Sequence, residues 1–141
     1  MTLGFKYLDH ATDAIIEAYG SSLDEAFENS AKGLVNTMVD LKEIAHDQEY
    51  EIIANGYDIK SLLYDWLEKV MLRILIDNIV LSYFKVKISE RNDNYLLKGI
   101  AKGELLDLKK HHFKIEIKGV TYHEMEIKQE NIVTIRFLLD L

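Results

Sequence analysis

From Leu81 onward, apolar and polar residues alternate with a period of two, broken only by short polar turns. Leu81 to Ser89 sets Tyr83, Lys85 and Lys87 against Phe84, Val86 and Ile88. Arg91-Asn92-Asp93-Asn94 then turns the chain back, so Tyr95 to Leu106 pairs with it as a hairpin. Phe113 to Val120, Glu124 to Lys128 and Ile132 to Leu139 read as three further strands. A run of strands this dense commits the second half of the chain to a sheet.

The first half mixes both periods. Leu3 to Leu8 and Ala14 to Tyr19 read as strands, and Gly20 ends the second. Ser21-Ser22-Leu23-Asp24-Glu25 opens a helix, with Ser22 and Glu25 spaced as a capping box. Its apolar stripe of Leu23, Phe27, Leu34 and Met38 is core packing. Glu49 to Ala54 is a strand that stops at Asn55-Gly56. A second helix starts behind Asp58 as N-cap and runs to about Asn78, with Leu62, Leu63, Trp66 and Leu67 on a wide apolar face. Trp66 reads as a core anchor. The order β-β-α-β-α followed by strands predicts an α+β fold: one domain over residues 1–141, two helices packed on a largely antiparallel or mixed sheet.

Composition narrows the function. The chain has 141 residues, 48% of them hydrophobic and none of them cysteine. Disulfides, thiolate zinc sites and thiol nucleophiles are therefore excluded together. Asp65, Glu68, Lys69, Arg73 and Asp77 interrupt the longest apolar stretch, so no membrane span is expected. No leader pattern is visible in Met1-Thr2-Leu3-Gly4-Phe5-Lys6, and the expected location is the cytoplasm. A net charge of −7 disfavours tight nucleic-acid binding, so direct RNA contact is expected to be weak or absent. The local basic stretch Lys109-Lys110-His111-His112 with Lys114 reads as a solvated turn; a docking surface for an acidic partner or RNA is the sharper alternative.

No Gly-rich phosphate loop, nucleophile elbow or His-Glu-x-x-His helix is present. Three segments remain. His10-Ala11-Thr12-Asp13 lies in the bend between the first two strands. Lys118-Gly119-Val120-Thr121-Tyr122-His123 breaks the alternation with a glycine and a polar cluster. Ile135 to Leu139 runs directly into Asp140-Leu141, which is expected to hold a side-chain carboxylate beside the α-carboxylate of Leu141. Two such groups repel unless a positive charge lies between them. Asp13, Asp140 and Leu141 would give all-oxygen ligation suited to Ca²⁺ or Mg²⁺. Coordination by His10 or His123 would shift the preference to Mn²⁺ or Zn²⁺. The plainer alternatives are a hydrogen-bonded turn at His10, a hairpin corner at Tyr122-His123, and a solvated Asp140 near Arg136.

These residues, in this order, resemble the archease family across essentially the whole chain. The resemblance is carried by Gly4-Phe5-Lys6-Tyr7-Leu8-Asp9-His10 with Asp13, Glu17-Ala18-Tyr19-Gly20, Leu62-Leu63-Tyr64-Asp65-Trp66-Leu67, Gly103-Glu104, Lys118-Gly119-Val120-Thr121-Tyr122-His123 and Asp140. The chain departs from the family pattern at Ala11-Thr12, usually Thr-Ala, at Ala14, where a glycine usually follows the aspartate, and at Leu105, commonly proline. The resemblance implies an α+β fold with a divalent-cation site, commonly calcium, held by Asp13, Asp140 and the Leu141 carboxylate. His10, Lys118 and His123 would lie nearby, beside the ligands or against a partner. It further implies a non-enzymatic cofactor of the RtcB-type tRNA-splicing RNA ligase, promoting guanylylation of the ligase's histidine and repeated turnover. A chaperone-like modulator of a tRNA cytosine methyltransferase and a weak metal-dependent hydrolase are the alternatives.

Overall fold

The computed structural model describes residues 4–8 and 13–141. Among the described residues, seven strands form two sheets. β1 (Phe5–Leu8), β2 (Asp13–Gly20), β7 (Val133–Asp140) and β6 (Gly119–Gln129) make the first, in that spatial order. β3 (Gln48–Gly56), β5 (Asn94–Leu105) and β4 (Ile79–Arg91) make the second. Every pairing is antiparallel. Helices α1 (Leu23–Met38) and α2 (Ile59–Leu75) each pack against both sheets, which gives the α+β class expected from the alternation.

Both helix starts obey their caps. Ser22 accepts from Glu25 N at 3.1 Å, but the Glu25 carboxylate reaches back to Ser21 N at 2.8 Å, one residue before the expected partner. Asp58 and Ser61 close a reciprocal box on α2. Trp66 is fully buried and donates from Nε1 to the Phe27 carbonyl at 3.0 Å, tying α2 to α1. Its ring lies against Gly99 of β5, where a β-carbon would approach it to 3.0 Å. Any side chain at Gly99 would displace the anchor.

Both open edges of the three-stranded sheet are sealed by helix side chains. On β3, Lys69 donates to Ile53 O and Arg73 to Glu51 O, while Asp65 accepts from Asn55 N. On β4, Glu28 accepts from Val86 N and Asp24 from Ile88 N. Unpaired edge groups are templates for aggregation, and these contacts remove them while fixing both helices to the sheet.

Four expectations need correction. The second helix ends at Leu75 rather than near Asn78, because Asn78 takes a left-handed φ of 56° and turns the chain into β4. Phe113 to Val120 is not a strand: Phe113 forms an isolated bridge with Val39, and only Gly119 and Val120 enter β6. Gly119 already faces Asp140, so the residues before it have no β7 backbone left to pair with. Glu124 to Lys128 belongs to that same long strand. Finally, the turn containing Lys109 to Lys114 is not wholly solvated, because His111 is fully buried within it. Its Nδ1 accepts from Asp107 N at 2.9 Å, which leaves Nε2–H to donate to Glu104 at 2.7 Å.

Candidate metal centre

Strand register places the expected ligands. Alternation along β2 puts Asp13, Ile15, Glu17 and Tyr19 on the face away from the main core, with Asp140, Leu138, Arg136 and Thr134 beside them on β7. Asp13 stands directly opposite Asp140. Such partners hold their β-carbons about 5 Å apart, and like charges there destabilise the sheet. Asp13 is half-buried and Asp140 exposed. The side chain of Leu141 packs against the core, which holds its backbone beside Asp140.

Gly119 of β6 is the other register partner of Asp140, and among the described residues a β-carbon there would meet nothing within 4 Å. Lys118 N donates to Asp140 O at 2.7 Å, so the backbone that carries Asp140 is fixed from both sides. Carboxylates next to open space are chemically suited to a hard cation that keeps waters of its own.

The other expected residues divide. Lys118 is brought to the pair through its backbone. His123 lies further along β6 in an irregular stretch, where β6 has four residues between Thr121 and Glu126 while β7 has one between their partners. Its exposed side chain does not complete the site: among the described residues no group of three His, Asp or Glu side chains could hold a metal. His10 lies outside the described residues. Arg136 pairs with Glu17 at 3.5 Å and Glu126 at 3.6 Å, two rows from the carboxylate pair. That rejects the surface pairing with Asp140 considered for it.

Below the carboxylates, Ile15 and Leu138 form a buried apolar row. The next row is a charge ladder: Lys6 faces Glu17, Glu17 faces Arg136, and Arg136 faces Glu126. A hydrogen bond from Tyr19 is the main reason the Glu17 carboxyl is more acidic than usual; burial opposes it and Lys6 and Arg136 assist.

Sequence patterns missed two features. Tyr64 of α2 stacks on Tyr122 of β6 with centroids 4.5 Å apart, which pins the irregular stretch of β6 to the helix. Glu104 accepts from Ala45 N, His111 and Lys110 at 2.7–2.9 Å. Burial pushes its pKa up, but those hydrogen bonds and the Lys110 charge outweigh burial and hold it at about 2. Clustered Lys and His beside Gly103-Glu104 were the available signal.

Comparison with known proteins gives the family. The model of the archease protein family (MTH1598/TM1083) covers residues 5–141. The chain belongs to the archease family. Protein archease of Methanosarcina barkeri is 41% identical over 124 residues, covering 87% of this chain and 85% of that protein. Protein archease of Sulfolobus acidocaldarius is 38% identical over 138 residues, covering 97% and 98%. The solution structure of Methanobacterium thermoautotrophicum protein 1598 superposes with a TM-score of 0.83 at 37% identity, covering 99% of this chain and 100% of that one. On this archease, the Gly103-Glu104 motif supplies the hydrogen-bonded carboxylate, and Lys118 to His123 leads into β6 beside Asp140. No helix among the described residues is long and apolar enough to cross a membrane.

Proposed function

We propose that this archease is a protein cofactor of an RtcB-type tRNA-splicing RNA ligase and acts through a divalent cation at the end of β7. Asp13, Asp140 and the Leu141 carboxylate would hold the ion, with Ca²⁺ the best match to the oxygen donors and Mg²⁺ or Mn²⁺ as alternatives. The observation that carries the reading is the register pair Asp13↔Asp140, set beside the open position at Gly119 in an archease chain. A like-charge pair held in register on a sheet is unfavourable by itself, and a bound cation reverses its sign.

When bound, the ion supplies positive charge at the rim of the protein. The chain's own residues would fix where that charge sits. Asp140 is held by the backbone of Lys118, Leu141 is anchored by its side chain, and among the described residues nothing crowds Gly119. With no phosphate loop in its sequence, the protein would work on a partner's triphosphate chemistry rather than perform its own.

The test combines purified ligase, GTP and sub-stoichiometric amounts of this protein. Guanylylated ligase and the number of ligation turnovers should both rise. A short extension after Leu141 converts the α-carboxylate to an amide and should abolish the effect, while the same extension before Met1 should not. A ligase time course unchanged at every concentration would reject the function; normal activation by the C-terminally extended protein would reject Leu141 as a ligand.

A further inference from the structure

The segment that joins β5 to β6 carries a fully buried histidine, yet no sheet holds it. Between Leu105 and Gly119 its one ladder contact is the isolated bridge from Phe113 to Val39. Backbone bonds fasten it at three points: Leu106 N to Asn78 O, Lys114 N to Met38 O, and Lys118 N to Asp140 O. The turn Asp107 to His111 lies between the first two, closed by Lys110 N and His111 N on Asp107 O. Side chains dock this turn. His111 Nε2 and Lys110 Nζ both meet the Glu104 carboxylate, which also accepts from Ala45 N. His112 adds an exposed contact to Glu43 at 3.1 Å. A segment held by a few contacts of this kind opens more readily than the sheets beneath it.

His111 has no spare hydrogen-bonding capacity. A neutral imidazole offers one acceptor and one donor, and here Nδ1 accepts from Asp107 N while Nε2–H donates to Glu104. A further proton can only go to Nδ1, where it would set two donors face to face at 2.9 Å. The ring is fully buried, so solvent does not answer either donor while the turn stays closed. The positive charge itself is favoured on the other side, at Glu104. We propose that the turn Asp107 to His111 is a proton-operated latch, in which protonation of His111 releases Asp107 N and keeps the ring on Glu104. The charged groups around the ring are Glu104 of β5, Asp107 and Lys110 of the turn, and Asp47 before β3, which acts on Lys110. Lys110 holds the same carboxylate at 2.7 Å and opposes a second cation; Glu104 and Asp107 favour it. The Asp107 carboxylate, now accepting from Lys109 N, is the turn's own acceptor for the new Nδ1–H. Glu104, at about 2, stays ionised across the range in which histidines charge, so the ring is the group that switches. The turn carries exposed Leu108 and Lys109, and its rearrangement changes that surface. This inference is independent of the cation site and of the ligase.

The test follows the full-length protein by NMR from about pH 8 to about pH 5, reading the His111 ring and the exchange of the Asp107 amide together. Protection of that amide, corrected for intrinsic exchange, should fall by about tenfold per pH unit as the ring takes its proton. The Lys114 amide, bonded to Met38 O outside the latch, should keep its protection. His111→Asn places Oδ1 where Nδ1 stands, so it can accept from Asp107 N and takes no proton. It should hold Asp107 protected at every pH. His112→Gln removes the exposed contact to Glu43 and should leave the pH dependence as in the wild type. Circular dichroism checks that both variants fold; should His111→Asn not fold, the wild-type comparison of ring and amide decides alone. An Asp107 amide that stays protected while the His111 ring titrates would overturn the proposal. So would a ring that takes no proton in this range, or the wild-type pH dependence persisting in His111→Asn.

Discussion

The two sheets are built alike, yet their solvent faces handle charge in opposite ways. On the four-stranded sheet, Lys6, Glu17, Arg136 and Glu126 alternate in sign across adjacent strands, with ion pairs of 3.5–3.7 Å. On the three-stranded sheet, Lys87 faces Lys98, and both line a groove with Asp24, Glu25 and Glu28 of α1. The ladder is a neutralised surface, and surface ion pairs of this kind contribute little to stability. The four-stranded sheet departs from its own rule in one place, the Asp13↔Asp140 pair at its end. Each sheet thus carries one like-charge pair of opposite sign to the other. Net charge would not have located either; register does.

The largest expected effect comes from breaking the acidic pair. Asp140→Asn keeps the shape and removes the repulsion across β2 and β7. In chelator the variant should melt near the wild-type temperature, because the substitution keeps the shape of an exposed side chain. On adding Ca²⁺ the wild type should gain stability and the variant should not, with metal affinity lower by about a hundredfold. Calorimetric titration alongside thermal melts reads both quantities. A variant that is destabilised in chelator and still binds Ca²⁺ normally would remove the distinction between this pair and the ladder.

The next effect tests where the outer face of β5 stops being a free surface. Lys98, Ile100, Lys102 and Glu104 follow one another on that face, but Glu104 is covered by the turn that carries Lys110 and His111. Its carboxyl, at about 2, is more acidic folded than its ordinary 4.5. Its stabilising contribution is therefore complete above the unfolded value and is lost as pH falls from about 5 towards 2. Glu104→Gln should cost about 2 kcal/mol at neutral pH and flatten the acid limb of the stability profile. Urea unfolding at a series of pH values gives both numbers. An acid limb identical to wild type would place the acid sensitivity elsewhere.

The helices, most strands and the caps at Ser22 and Asp58 were legible because amphipathic period and cap chemistry are local. Phe113 to Val120 misled for the opposite reason. Its alternation is strand-like, but a strand also needs a neighbour, and β7 supplies one only from Gly119 onward. His111 was hidden in a run of cations, since burial there depends on Glu104 and Ala45 arriving from distant segments. For the site, the sequence named Asp13 and Asp140 as carboxylates near strand ends, while their direct opposition required the β2–β7 register. The Lys87–Lys98 pair was within reach of the sequence. A two-residue turn at Asn92-Asp93 already determines that Lys87 faces Lys98.

The smallest effect is also the sharpest on sign. Lys87→Gln and Arg136→Gln each remove one positive charge from a chain of net charge −7, so their effect on overall self-repulsion is the same. Their local effects differ. Arg136 faces Glu17 and Glu126, and its loss leaves two half-satisfied carboxylates on the ladder. It should cost about 0.5–1 kcal/mol at low salt. Lys87 faces Lys98, and its loss removes a repulsion, which should stabilise the fold by about 0.2–0.5 kcal/mol at low salt. Both differences should shrink as salt is raised, because these groups are exposed enough to be screened. Lys109→Gln, on an exposed turn, gives the baseline for the change in net charge alone. Urea midpoints for the three variants at low and high salt settle the comparison. If Lys87→Gln falls below the Lys109→Gln baseline, the lysines are held apart by their own rotamers, and register opposition is not felt as strain on this sheet.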